Sequence, residues 1–303
     1  IDDINPATGE IIAKIPKSGS KEVSNAVDAA DMARVSWSEL SSEKRADWLD
    51  KIADALESKS DDLASLESLD TGKPITLAKA VDASRSVANF RFFAQFSRDF
   101  TVENFEMDDA MNHVVLKPVG IAGLITPWNL PLYLLSWKIA PAIVMGNTVV
   151  AKPSELTPLT ANLLSQTLDE IGFPGGVVNI LHGLGSEAGQ AIVENPKINL
   201  ISFTGGTLTG KKVAETAAPM FKKLSLELGG KNATIILDDA NLDSSIPEIA
   251  RSAFMNQGQV CLCGSRILVS DKIWDEFVDK FVVVESNKTW QNNQKKLRFK
   301  IED

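Results

Sequence analysis

From residue 119 to residue 237, short apolar runs alternate with helix-like segments, and this alternation constrains the fold more than any other feature. Residues 120–126, 148–151, 177–181, 199–203, 223–227 and 233–237 read as strands. Residues 132–145, 159–171, 187–194 and 208–217 read as the helices between them. Strands fed by helices at this spacing predict an α/β fold with a parallel sheet covered on both faces. Its Gly- and Pro-rich strand-to-helix turns line the carboxyl edge, where such sheets bind ligands.

The flanks differ. Apolar residues recur with helical spacing at Val23, Ala26, Val27 and Ala30, then at Trp48, Ile52, Leu56, Leu63 and Leu66, so the first hundred residues are expected to be helical. Ser41-Ser42-Glu43-Lys44 offers an N-cap, Thr71-Gly72-Lys73-Pro74 a stop, and a third helix is expected over about 76–96. Residues 101–117 change to short β-like runs such as His113-Val114-Val115-Leu116. The stretch 119–151 has Lys138 as its only charge and is long enough for a membrane span. Pro127, Asn129, Pro131 and Pro141 interrupt it, which favours a buried strand, a turn and a core helix.

Composition narrows the classes. Lys and Arg number 31 against 40 Asp and Glu, a net charge of −9, so the basic footprint of a nucleic-acid binder is missing. The two cysteines, Cys261 and Cys263, form no disulfide framework and suit a reducing compartment. With His113 and His182 far apart in sequence, a closed metal site is not expected. Residues 1–10 show no signal-peptide pattern, and a cytoplasmic location is expected. Residues 286–303 carry five basic and two acidic residues without apolar periodicity, which reads as a solvated tail.

Four segments carry chemistry. Phe203-Thr204-Gly205-Gly206-Thr207-Leu208-Thr209-Gly210-Lys211-Lys212 ends a strand and opens a helix, an arrangement that lets backbone N–H groups meet a phosphate. It is not a P-loop, because Lys212 stands where a magnesium-holding Ser or Thr is needed; a plain packing turn is the alternative. His182-Gly183-Leu184-Gly185 and Gly189 approximate a dinucleotide fingerprint with the third Gly displaced. Gln257-Gly258-Gln259-Val260-Cys261 places a thiol after a Gly-containing turn, either as a nucleophile or as an inert buried Cys. Glu227-Leu228-Gly229-Gly230-Lys231 ends an apolar strand in a carboxylate, either raised by burial towards a general base or paired with Lys231.

Taken with Thr126-Pro127-Trp128-Asn129-Leu130-Pro131 and Gly146-Asn147-Thr148-Val149-Val150-Ala151-Lys152-Pro153-Ser154-Glu155, these motifs resemble the aldehyde dehydrogenase superfamily in order and spacing, over about residues 5–281. Arg85-Ser86-Val87-Ala88-Asn89-Phe90, Pro131-Leu132-Tyr133-Leu134-Leu135-Ser136-Trp137 and Cys261-Leu262-Cys263 resemble its branch that oxidises 2-aminomuconic and related semialdehydes. The resemblance implies a Rossmann-like cofactor domain, NAD as cofactor, a small aldehyde as substrate and assembly into oligomers. It implies Cys261 as nucleophile, Asn129 with the Cys261 N–H as oxyanion donors, and Glu227 as the base for hydrolysis. Lys152 and Glu155 are implied at the adenine ribose and Gly205 and Gly206 at the pyrophosphate. Thr126, Pro127, Trp128, Ser154, Phe203, Thr204, Thr207 and Leu228 complete the cofactor set. Many relatives carry Ser where Gly206 stands, which removes one phosphate contact. Arg85 is the candidate cation for a substrate carboxylate, with a helix-surface ion pair as its alternative.

The family's Glu-Ile-Phe-Gly-Pro and Pro-Phe-Gly-Gly segments are absent, so the resemblance implies a chain cut short within its catalytic domain. The expected divisions are a helical part at 1–100, an oligomerisation-type β segment at 101–118, an NAD-binding core at 119–228, the start of a catalytic domain at 229–284 and a basic tail at 285–303. One strand and one helix are expected in the catalytic piece, too little to bury a core. Two functions of different class follow: an NAD-dependent aldehyde dehydrogenase, or a non-catalytic remnant that binds NAD or joins a full-length subunit. A P-loop ATPase is disfavoured by Lys212.

Overall fold

The chain opens with a hairpin that helical periodicity does not announce. β1 (Asp2–Ile4) pairs antiparallel with β2 (Ile11–Lys14), so the first hundred residues are not all helical. Both strands are short and mostly exposed, and they leave no apolar alternation to read. Asp3 is the exception: it is buried against Asp70, and burial pushes the Asp70 carboxyl up to about 8. A computed structural model describes residues 1–287, and the expected basic tail lies outside the described residues beyond that point.

Helices follow: α1 (Ser20–Glu39), α2 (Ser42–Ser58), α3 (Ser60–Thr71), the single turn α4 (Ile75–Leu77) and α5 (Ser84–Asp99). Ser41 caps α2 by accepting from the Lys44 N–H at 3.3 Å. Gly72 ends α3 in the left-handed region at φ 73°. The helix expected from Ser42 to Thr71 is broken at Lys59. The one expected over 76–96 begins with a wide π-helical stretch, Ala78–Ala83.

β3 (Asn104–Glu106) and β4 (Met111–His113) form an exposed antiparallel pair; of the run expected at 113–116, only His113 lies in a strand. The alternating region then gives β5 (Ile121–Ile125), α6 (Pro131–Val144), β6 (Thr148–Lys152), α7 (Leu159–Glu170), β7 (Val178–Ile180), α8 (Gln190–Glu194), β8 (Ile198–Gly205), α9 (Thr207–Ala217) and β9 (Lys223–Leu228). These strands form one parallel sheet in the order β7-β6-β5-β8-β9. All five residues of β5 and of β6 are buried, as a sheet covered on both faces requires. On one face Ala122, Leu124, Val149 and Ala151 meet α2, α5, α6 and α7. On the other, Ile121, Ile125, Val150, Ile201 and Phe203 meet α1, α8 and α9. Among the described residues no helix is long and apolar enough to cross a membrane.

The chain divides into two compact units, Ile1–Gly229 and Gly230–Asp303. The second contains β10 (Ala233–Ile236), α10 (Leu242–Phe254), β11 (Arg266–Val269) and α11 (Trp274–Asn287). β10 and β11 run parallel, so among the described residues this piece has two strands and two main helices rather than one of each. Together they bury a small core of Ile236, Leu242, Ile246, Ile249 and Phe277.

Candidate active site

Strand register decides which sequence-predicted residues meet. Ile125 of β5 lies opposite Lys152 on one side and Phe203 on the other, while Thr204 and Gly205 lie opposite Glu227 and Leu228. The carboxyl ends of β5, β6, β8 and β9 therefore bring four turns to one edge. These are Thr126-Pro127-Trp128-Asn129, Lys152-Pro153-Ser154-Glu155, Gly205-Gly206-Thr207 and Glu227-Leu228.

Lys152 is buried at the end of β6 and spends all three ammonium protons. It donates to the Pro153 carbonyl at 2.9 Å, the Glu155 carboxylate at 2.9 Å and the Gly183 carbonyl at 3.0 Å. This ties the end of β6 to the loop after β7. Burial works against the charge of Glu155, but Lys152 and backbone N–H groups outweigh it and hold the carboxyl below its usual range. The Ser154 hydroxyl accepts from the Leu156 N–H at 3.2 Å and so serves the turn. The Thr126 N–H donates to the Lys152 carbonyl at 3.2 Å, and among the described residues its buried hydroxyl has no hydrogen-bond partner.

Gly206 caps α9, whose first-turn N–H groups are natural anion donors. A Cβ on Gly205 would lie 2.6 Å from the Phe203 ring, whereas a Cβ on Gly206 would meet open space. A dinucleotide fits this edge: an ionised acceptor for ribose hydroxyls, an uncrowded helix N-terminus for phosphate, and a buried hydroxyl free to pair.

Glu227 is exposed, which corrects the expectation that it is buried. Its strand alternates, with Leu224 and Leu226 turned to the core and Ser225 and Glu227 to the opposite face. There Glu227, Ser225, Ser202 and Lys138 line a cavity of about 750 Å³. Asn129 is half-buried, and its main-chain carbonyl accepts from the Lys73 ammonium at 3.2 Å. Arg85, exposed on α5, holds its guanidinium 5.7 Å from the Tyr133 ring. Among the described residues it forms no ion pair, so the surface-pair alternative is not what is seen.

Cys261 belongs to the second unit. Its side chain is exposed and unbridged, while Cys263 is buried. The turn before it holds Asn256, Gln257 and Gly258 at φ 53°, 56° and 73°. Two of these are non-glycine residues in the left-handed region, at a typical cost of about 1–3 kcal/mol each. Asn232 Nδ2 donates to the Cys261 carbonyl at 2.6 Å, and the Gly264 N–H reaches the Ser252 hydroxyl at 3.2 Å. The turn carrying the thiol is thus pinned from both sides.

A family model described as Aldehyde dehydrogenase family matches residues 1–296. The chain belongs to the aldehyde dehydrogenase family. The match runs past Phe281, where the resemblance read from the sequence ends. The human 2-aminomuconic semialdehyde dehydrogenase is 51% identical over 293 residues, covering 96% of this chain and 60% of the relative. The 2-hydroxymuconic semialdehyde dehydrogenase of Pseudomonas sp. strain CF600 is 45% identical over 284 residues, covering 91% and 58%. An aldehyde dehydrogenase from Bacillus cereus, solved as an NAD+ complex, superposes with a TM-score of 0.92 at 39% identity, covering 95% and 59%. The chain spans about 60% of the length of the curated relatives it matches.

Two residues at this candidate site escaped motif reading. Lys138 donates to the Ser202 hydroxyl at 2.7 Å inside the cavity that Glu227 lines. Burial pulls its ammonium down to about 8, against the opposing pull of Glu227. Its signal was its place as the only charge between residues 119 and 151. Lys73 sat within a segment read only as a helix stop.

Proposed function

We propose that the chain oxidises a semialdehyde of the 2-aminomuconic type to its carboxylate, with NAD as cofactor and a thioester on Cys261. The observation that carries this is the shared register, which brings the oxyanion candidate, the ribose pair, the phosphate turn and Glu227 to one sheet edge. The Cys261 thiolate adds to the aldehyde carbon, forming a C–S bond and an oxyanion. The Asn129 amide and the Cys261 N–H hold that oxyanion; one such donor is typically worth about 100- to 1,000-fold in rate. When bound, NAD supplies the hydride acceptor. Glu227 takes a proton from the water that attacks the thioester, a contribution of about 100- to 10,000-fold, and the thiolate leaves.

Lys152 and Glu155 hold the adenine ribose, the ionised Glu155 favouring a bare 2′-hydroxyl over a phosphate. Thr126, Pro127, Trp128, Ser154, Phe203, Thr204, Gly205, Gly206, Thr207 and Leu228 line the rest of the cofactor groove. The names of the relatives and the solved NAD+ complex support both substrate class and cofactor. In this reading residues 119–228 form the cofactor core, 229–284 begin the catalytic domain and 101–118 meet a second subunit in the cytoplasm. The exposed Phe105, Met107, Met111, Val115 and Leu116 suit that contact.

Arg85 pairs with the substrate carboxylate. Arg85→Ala raises KM for acidic semialdehydes far more than for neutral aldehydes; equal effects on both remove this role. A second reading, NAD binding without turnover, is favoured by the small core of the second unit. Titrating the chain with NAD and with ATP, while following NADH with a muconic semialdehyde, separates the readings. NADH at about 1–1,000 per second per chain is expected, and NAD binding without NADH selects the second reading.

A further inference from the structure

Beneath the oxyanion turn lies a buried charge cluster that the chemistry above does not use. The Lys73 side chain is 0% exposed, with Glu67 at 1% and Asp82 at 2%. Its ammonium donates to the Asp82 carboxylate at 2.8 Å and lies 3.5 Å from Glu67. A third contact reaches the main-chain carbonyl of Asn129 at 3.2 Å, across 56 residues of sequence.

The cluster has a rigid seat. Gly72 turns the chain at the end of α3, and the Ser68 hydroxyl holds the Lys73 carbonyl at 2.6 Å. The π-helical stretch Ala78–Ala83 contains Asp82. Leu130 enters α6 without a side-chain cap, and Pro131 opens the helix. The body of α6 is held separately, by Asn89 Nδ2 donating to the Tyr133 carbonyl at 3.1 Å and the Ser136 hydroxyl at 2.9 Å.

We propose that Lys73 is a positioning residue, whose buried ammonium, seated on Asp82 and Glu67, holds the Asn129 carbonyl and thereby fixes the turn that carries the oxyanion-binding amide. The cost of burying a charge is offset by its two carboxyl partners, and the fixed donor lets the Asn129 amide act without rearranging. The catalytic consequence rests on the role given to Asn129 above; the grip on the turn does not.

The test uses the full chain with Lys73→Met and with the double variant Lys73→Met/Asp82→Asn, which removes the close ion pair as a whole. Hydrogen exchange over residues 126–134 accelerates about tenfold or more in both, the loss expected for one hydrogen bond from a charged donor. Exchange over β5, β6 and the later turns of α6 stays unchanged. In turnover, kcat for aldehyde falls about ten- to hundredfold with KM for NAD unchanged, and Asn129→Ala absorbs that fall in the combined variant. Unchanged exchange of the turn, acceleration shared with the sheet, or failure of both variants to fold would overturn the proposal. If the unaltered chain makes no NADH, the aldehyde reading fails, while exchange still decides the role of Lys73.

Discussion

The two units of this chain are built to different standards. The first buries β5 and β6 completely and packs helices on both faces of its sheet. Among the described residues, the second has a core cluster of five buried apolar side chains around a two-stranded sheet. The proposed cofactor groove and oxyanion turn belong to the first, and the proposed nucleophile to the second. Groups that must hold a large ligand stand on the rigid scaffold; the thiol stands on a strained turn pinned by Asn232 and Ser252. Each unit is therefore expected to fail without the other.

The sharpest way to separate them is Cys261→Ala. Aldehyde oxidation falls by about 10,000-fold or more, the scale of losing a nucleophile, while NAD affinity measured by calorimetry stays within twofold, about the error of the method. Weaker NAD binding in this variant would erase the division of labour. Next, Ile246→Ala removes a fully buried side chain from the small core and costs about 2–5 kcal/mol. Protease cleavage should then appear within the second unit alone, with NAD still bound. Cooperative loss of both units would show that they share one stability.

A pH comparison probes the first unit from inside. Burial and the nearby Asp82 charge push Glu67 up to about 8, against the partial help of Lys73. The folded chain then keeps a proton that the unfolded chain releases, so this group's contribution to stability is lost as pH rises from about 4.5 to about 8. Glu67→Gln removes that loss. The variant gains on the parent across this window, by up to about 5 kcal/mol at the alkaline end, measured by denaturant melts at several pH values. An equal difference at pH 5 and pH 8 contradicts it.

The smallest effect concerns phosphate. Gly206→Ser fills open space at the N-terminus of α9 and supplies a hydroxyl donor. NAD affinity should rise by about tenfold or less, the worth of one neutral hydrogen bond. A fall would show that the open space is needed by the ligand.

Much of the first unit was legible in the sequence because its elements are strongly patterned. The apolar run of β5, the apolar centre of β6, the Ser41 cap and the Gly72 stop all carry their own local signal. The misses are elements held by contacts distant in sequence. β1 is short and acidic and is anchored by Asp3 meeting Asp70. β11 alternates between exposed and half-buried positions beside a turn that dominates the local composition. The π-helical stretch at Ala78–Ala83 has no compositional mark. The same logic governs the site. Motifs and strand–helix alternation named the residues of the edge, and register showed which turns of β5, β6, β8 and β9 are neighbours there. Lys138, marked only as a lone charge in an apolar stretch, and Lys73 were not named as functional candidates because their partners, Ser202 and Asn129, lie 64 and 56 residues away. The exposure of Glu227 follows from the alternation of β9, which an apolar strand ending in a carboxylate does not reveal.

The most direct measurement is NADH formation by the unaltered chain with NAD and a muconic semialdehyde, counted per chain over many equivalents. The account predicts continued turnover at about 1–1,000 per second, abolished by Cys261→Ala. NAD binding with no NADH above the uncatalysed rate, or turnover that survives Cys261→Ala, would contradict it.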